Sequence, residues 1–262
     1  CYAYRGRGHT ETDEAYGQRV ASELDELALQ LGPGTIAAFV AETVVGATLG
    51  AVPAVSGDFR AIREICDRHG ILLILDEVMC GLGRTGSLFA FEQEGILPDI
   101  LCIAKGLGAG YQPIAAMVVS QKVHDTIRDG TGAFLHGHTY QAHPVACAAA
   151  KVAIDKIARP ELIAHVADRG EQLIEGLRQR LAGHRFVGDI RGRGLFVGIE
   201  FVADRETKAP FAAAAGVNRM VKQAAMERGL LCYPMGGTVA GRTGDHVRLA
   251  PPSIISAGEI DD

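Results

Sequence analysis

The chain has no tryptophan, and aromatic residues make up only 6% of its 262 positions. Any core must therefore be mainly aliphatic, and a hydrophobic content of 48% is enough to build one. No uninterrupted apolar run approaches the roughly 20 residues that cross a bilayer. No secretory leader is read at the start, so no membrane partner is expected. Lys and Arg total 26 against 31 Asp and Glu, a formal net charge of −5 without any basic run. Such a surface cannot neutralise a phosphate backbone, which excludes nucleic acid as the main partner. The six cysteines (Cys1, Cys66, Cys80, Cys102, Cys147, Cys232) form no CxxC pair. Three of them sit in apolar contexts, and all are expected to be reduced, mostly buried thiols of a cytoplasmic protein. Internal repeats and low-complexity tracts are also missing.

What is present is an ordered alternation of helices and apolar strands. Helical spacing over 13–31 ends at Gly32, Pro33 and Gly34. A short strand, "TIAAFVAET", ends near Glu42, and "DFRAIREICDRHG" reads as a second helix closed by Gly70. "ILLIL" (71–75), "DILCIA" (99–104) and "IAAMVVS" (114–120) read as further strands, and 143–158 as an Ala-rich helix. Apolar strands that do not alternate, separated by helices, predict an α/β fold with a mostly parallel sheet sandwiched by helices. Sites in such sheets lie beyond the carboxyl ends of the strands, where Glu42, Asp76 and Lys105 all fall. Beyond 158 the pattern becomes α+β. A long helix is followed by a Gly-containing hairpin over 186–201, a helix over 216–228, and strands "GLLCYP" and "HVRLAPPS". This divides the chain into a partial large domain, 1–158, and a smaller C-terminal α+β domain, 159–262. The final "SAGEIDD" reads as the opening of a helix.

The stretch "ILLILDEVMCGLGRTG" (71–86) brings a strand up to two carboxylates and then a flexible turn. An apolar run ending in Asp-Glu can hold Mg²⁺ in phosphate-hydrolysing proteins, but its partner GxxxxGK[ST] is absent. Asp76 could also simply cap a turn. The second chemistry comes from "CIAKGLGAGY" (102–111), where Lys105 precedes Gly106, Gly108 and Gly110. Apolar surroundings make a lysine amine a usable nucleophile. A lysine with an acidic partner on a neighbouring parallel strand is what pyridoxal phosphate requires. On this segment alone, a surface lysine in a glycine loop is an equally good reading. His136, His138 and His143 lie close together, but no Asp, Glu or Cys cluster completes a ligand set, so no metal site is expected. His69 and His246 read as turn residues.

The longer stretch "LLILDEVMCGLGRTGSLFAFEQEGILPDILCIAKGLGAGYQPIAA" resembles the signature of the class III pyridoxal-phosphate-dependent aminotransferases, the ω-aminotransferase group of fold type I. "HGHTYQAHPVACAAA", "RGRGLFVGIEF" and "RLAPP" continue the resemblance over nearly the whole chain. The resemblance implies that Asp76 pairs with the pyridine nitrogen and that Val78 packs on the ring. It implies that Lys105 forms the internal aldimine and shuttles the proton. Thr139 would hydrogen-bond the cofactor phosphate in the neighbouring subunit's site, which implies a homodimer. Glu77 and Arg84 would support the site. The implied reaction is a ping-pong transfer of an amino group from an amine or an ω- or α-amino acid to a 2-oxo acid, pyruvate or 2-oxoglutarate. Decarboxylation, an intramolecular amino shift and an inactive fragment are the alternatives.

Four points qualify the resemblance. Thr43 replaces the family's proline after Glu42. Ala47 stands where ornithine- and GABA-type members carry a glutamate, which points to the amine:pyruvate-like branch. Arg248 and Arg242 are both candidates for the substrate carboxylate, since a guanidinium fork suits that group. The family's N-terminal portion, with its Gly-Ser phosphate cup, is not found before Cys1, so the chain is expected to be N-terminally truncated.

Overall fold

The computed structural model describes residues 2–261. Its elements run α1 (Ala3–Gly6), α2 (Asp13–Leu31), β1 (Ala38–Glu42), β2 (Val44–Val45), β3 (Val52–Pro53), α3 (Asp58–His69), β4 (Leu72–Asp76), β5 (Ile100–Ile103) and β6 (Ala116–Val119). They continue with α4 (Gln121–Asp129), α5 (Pro144–Ile157), α6 (Pro160–Leu181), β7 (Val187–Arg193), β8 (Phe196–Phe201), α7 (Val217–Glu227), β9 (Tyr233–Val239), β10 (Thr243–Leu249) and α8 (Ala257–Asp261). Helix α2 starts where Thr12 Oγ1 accepts the Ala15 N–H at 3.1 Å, with Asp13 and Glu14 on the positive end of the helix dipole. Helix α3 stops at Gly70 in the left-handed region.

The first sheet has the order β1-β4-β5-β6. Its first three strands are parallel, and β6 runs antiparallel to β5. Register places Glu42, Asp76 and Cys102 side by side at the carboxyl end. Leu73, Leu75, Leu101 and Ile103 share one core with Phe59, Ile62 and Ile65 of α3. Ile74 and Ile100, which point the other way, are only partly buried, and Val40 beside them is 63% exposed. The expected cover on both faces is therefore incomplete among the described residues, because α2 and α3 bury only one side. The fourth strand, β6, is largely exposed.

The second sheet is antiparallel, in the order β7-β8-β10-β9. One face joins Leu177 and Leu181 of α6 and Val221 of α7 in an apolar cluster. The other face carries two polar rows in register, Tyr233–Arg248–Gly198–Arg191 and Met235–His246–Glu200–Asp189. Most of these polar groups are buried (Arg248 and Arg191 at 7% exposure, Glu200 and His246 at 0%). Burial by itself would push Glu200 up to about 8. Arg5 Nη2 at 2.6 Å and Arg191 Nη1 at 2.7 Å hold it ionised, since a carboxylate between two guanidiniums gains more than it loses by desolvation. The expected strand "GLLCYP" begins only at Tyr233, because α7 ends in a turn at Gly229, where φ is +79°.

Both histidines read as turn residues lie elsewhere. His69 closes α3 with Nε2 2.6 Å from Asp25. His246 is a central residue of β10, its Nδ1 2.8 Å from Thr238 Oγ1. Burial first, then the charge of Arg191, pushes the His246 imidazole down to about 4. Its folded pKa lies below the unfolded one, so between about pH 6.5 and 4 the unfolded chain takes up a proton that the native state refuses. Stability is complete above this window and is lost as pH falls through it. We predict about 2 kcal/mol less unfolding free energy at pH 5 than at pH 7 from this residue. Denaturant titrations of wild type and His246→Gln would show it, the variant lacking that part of the slope.

The five described cysteines are free thiols. Cys66 and Cys80 are buried and raised by desolvation to about 11 and 12, which makes them unreactive. Cys147 departs from the expectation: it is exposed near the start of α5. Cys1 lies outside the described residues.

Candidate active site

The loop after β4 is built around a buried acid that is not Asp76. Glu77, 1% exposed, accepts the Thr43 hydroxyl at 2.9 Å and the Ala90 and Phe91 N–H groups at 2.7 Å each. Burial raises its carboxyl and these donors oppose the rise. With its neighbour so anchored, the strand's alternation turns Asp76 to the opposite face, in line with Glu42 and Cys102. Asp76 Oδ1 accepts the Val78 N–H at 2.9 Å. The second carboxylate oxygen has no protein donor among the described residues. Arg84, farther along the loop, donates to Leu195 O at 3.2 Å and Pro251 O at 2.6 Å, which ties the loop to the C-terminal sheet.

Lys105 follows β5, the strand paired with β4. Its φ is +44°, a left-handed conformation that costs a non-glycine residue roughly 1–2 kcal/mol. Local strain of this kind collects at functional positions. The turn continues through Gly106 and Leu107, the latter buried in the core. Lys105 itself is exposed. The apolar enclosure expected around its amine is thus not supplied by the described residues, because the open sheet face and the exposed segment 109–111 leave it facing solvent. A cleft of about 680 Å³ lies beside it, lined by Gly110, Gln112, Pro113, Ile114 and Ala115.

Arg248 of β10 is 7% exposed, with Tyr233 under its guanidinium at 4.5 Å and Phe196 at 5.7 Å. Its Nη1 is 3.9 Å from Met79 Sδ. No described carboxylate lies within ion-pair distance of it. Arg191, in the same row, is by contrast saturated by Asp189 and Glu200. Burial disfavours the Arg248 charge, while Tyr233 and Glu42 favour it. Glu42, partly buried, is raised by desolvation, the Gly46 N–H at 2.8 Å opposing; Asp76 adds to the rise, and Arg248 and Lys105 counter it. Glu42 therefore feels the charges of Asp76, Lys105 and Arg248. The sequence placed Glu42 at the strand ends but assigned it no role. Its register with Asp76 was the available signal.

Thr139, expected in the neighbouring subunit's site, lies in the exposed segment 131–143 of this chain. Arg242 is exposed on the β9–β10 turn, at the far end of β10 from Arg248. The histidine segment is accounted for locally: His143 Nδ1 caps α5 by accepting the Ala146 N–H at 3.3 Å, and the His136 and His138 rings meet edge to face at 5.0 Å. Among the described residues no group of three or more His, Cys, Asp or Glu side chains gathers around a common point.

Asp76 is in register with Cys102, and Lys105 follows three residues after Cys102, so both residues stand at the carboxyl ends of adjacent parallel strands. An acceptor oxygen free of protein donors at one end and an amine at the other fit the two polar ends of pyridoxal phosphate. The described residues offer no cup for its phosphate.

Comparison with known proteins identifies the family. The family model described as "Aminotransferase class-III" matches residues 3–262. An aminotransferase of Gibberella zeae is 48% identical over 260 residues, covering 98% of this chain and 51% of that protein. Vanillin aminotransferase of Capsicum frutescens is 39% identical over 255 residues, covering 96% of this chain and 53% of that protein. The chain thus spans about half the length of these relatives. Among solved structures, an (S)-enantioselective ω-transaminase from Thermomicrobium roseum matches 99% of this chain and 56% of its own, with TM-score 0.90 and 38% identity. The Pseudomonas jessenii ω-transaminase in complex with PMP matches the same shares, with TM-score 0.88 and 37% identity. Its sheets, its Asp76 and Lys105 strand ends and these matches together make the chain a member of the class III aminotransferases, with the fold type I architecture of that family.

Proposed function

We propose that the protein carrying this chain is a pyridoxal-phosphate-dependent transaminase that moves an amino group from an amine or an ω- or α-amino acid to a 2-oxo acid. The observation that carries this reading is the placement of Asp76 and Lys105 at the carboxyl ends of adjacent parallel strands. Pyridoxal phosphate is the family's cofactor, and when bound it supplies an electron sink for a substrate carbon that gives up its proton. Asp76 would hold the ring nitrogen's proton through its unused oxygen, and Val78 would rest against a ring face. The Lys105 amine would anchor the cofactor and, once released, would take the proton from the substrate Cα and return it to the cofactor carbon that had carried the aldehyde. Arg248 would receive the substrate carboxylate, because a buried guanidinium without an ionic partner gains most from a bidentate anion. Donor and acceptor would use this site in turn, in the ping-pong manner. Arg242 is kept as a weaker candidate, since only a moving loop could bring it to the crevice.

The segment around Thr139 supports a homodimer. Phe134, Leu135 and Tyr140 are 52%, 88% and 79% exposed there, more apolar surface than a solvated loop usually shows. A second copy lying on it would bring Thr139 of one protomer to the cofactor phosphate of its partner. The two sheets, each with its own apolar cluster, support a division into domains 1–158 and 159–262. No described helix is long and apolar enough to cross a membrane. The unpaired thiols support a cytoplasmic location.

The test is a donor screen on the longest native polypeptide carrying this sequence, loaded with pyridoxal phosphate. Amines and ω-amino acids are offered with pyruvate or 2-oxoglutarate. Formation of alanine or glutamate is expected. Cofactor uptake with no amino transfer, together with release of CO₂ or a rearranged amino acid, would replace transamination by one of the other chemistries.

A further inference from the structure

The loop 46–50 is held from outside the first sheet. Arg191, buried on β7, donates Nε to Gly50 O at 3.0 Å and Nη2 to Leu49 O. Its Nη1 meets Asp189 at 3.0 Å and Glu200 at 2.7 Å, and Arg5 holds the other oxygen of Glu200. All of its polar reach is committed, so it is a fixed fork and not a free cation. The loop lies directly on Gly198, between Arg191 and Arg248 in the same row. A Cβ on Gly198 would fall 1.9 Å from Gly50 O. At its other end the loop offers the Gly46 N–H to Glu42 Oε2 at 2.8 Å. A Cβ at Gly46 would lie 2.7 Å from Met79 Sδ, 3.2 Å from Glu42 Oε2 and 3.3 Å from Phe196 Cζ. Met79 and Phe196 are also the groups that touch Arg248. Glu42 and Arg248 thus flank one small volume without forming an ion pair.

We propose that Arg191 is a positioning residue whose clamp on Leu49 and Gly50 keeps the Gly46 N–H on Glu42, and so keeps the Glu42 carboxylate off Arg248. Arg248 then remains open to a substrate carboxylate. If the loop lifts, Glu42 loses its backbone donor and the nearest cation is Arg248. The crevice would then be occupied by an internal ion pair, and carboxylate-bearing substrates would be rejected while carboxylate-free amines would not. The inference rests on the reading of Arg248 as the carboxylate receptor.

The test uses the longest native polypeptide carrying this sequence, loaded with cofactor. Propionate, which cannot react, is titrated calorimetrically. The amino-donating half-reaction is followed with β-alanine and with propylamine. Arg191→Lys keeps the charge and loses the fork. It should weaken propionate binding and raise the β-alanine KM about tenfold, roughly the loss of one charge-assisted contact, and move propylamine by less than about twofold. Gly198→Ala lifts the same loop without altering a charge and should give the same split. Adding Glu42→Gln to either variant should restore propionate affinity, which a purely structural role for Arg191 would not allow. Equal losses for both amines, no rescue, or failure of both variants to fold would overturn the proposal by making Arg191 part of the scaffold. Arg248→Gln separates the two readings. If it leaves propionate binding intact, the Arg248 assignment itself fails. If it abolishes binding and Arg191→Lys does not weaken it, only the clamp fails.

Discussion

Lys105→Ala is expected to lower amino transfer by at least about 10⁴-fold and to remove the visible absorbance of the lysine-bound cofactor. The expectation follows from position as much as from residue type. Among the described residues Lys105 is the only amine that follows the end of a strand paired with Asp76's own. Its left-handed backbone points to a site where local conformational cost is tolerated. Alanine at this position cannot anchor the cofactor or carry a proton, and a neighbouring group cannot substitute, because the other amines lie on different elements. Fold stability should change little, since the side chain is exposed and buries nothing. Spectra and rates measured on the same preparation would check it. A variant that kept the band and its turnover would show that another amine holds the cofactor.

Asp76→Asn carries the second largest effect, a loss of about 10²–10³ in rate with cofactor binding weakened far less, on the scale of one electrostatic contact removed from a reacting centre. The substitution preserves shape and leaves a carbonyl oxygen to accept the Val78 N–H, so the turn after β4 should persist. What disappears is the negative charge, and with it the preference for a protonated ring nitrogen. The structural anchor of the loop is Glu77, so the melting temperature should barely move. Kinetics, cofactor titration and thermal unfolding together make the check. A near-wild-type rate would assign the ring nitrogen to another group.

The site was legible in sequence to the extent that it is local. The strand "ILLIL" running into Asp76, and "DILCIA" running into Lys105 and its glycines, each declare a strand end within about ten residues, and parallel pairing brings two such ends together. Helices α2, α3 and α5 were legible from apolar spacing and their closing residues for the same reason. The Glu42–Arg248 confrontation was not, because its members come from strands of two different sheets, and only Gly46, Met79 and Phe196 bring them near. His246 was misread because a polar residue between Asp245 and Val247 resembles a turn. Its strand buries polar groups on the face that meets loop 46–50. Continuous apolar strands likewise did not reveal that one face of the first sheet is partly open, since a run of Ile and Leu is compatible with one covered face or two.

Sequence alone determined the family, the strand-end positions of Asp76 and Lys105 and the order of the elements, because each depends on residues close together along the chain. Tertiary structure decided which buried arginine is ion-paired and which is not. It did so because Arg191 and Arg248 are equivalent as cations until the fold places Asp189 and Glu200 beside one and leaves the other without an ionic partner.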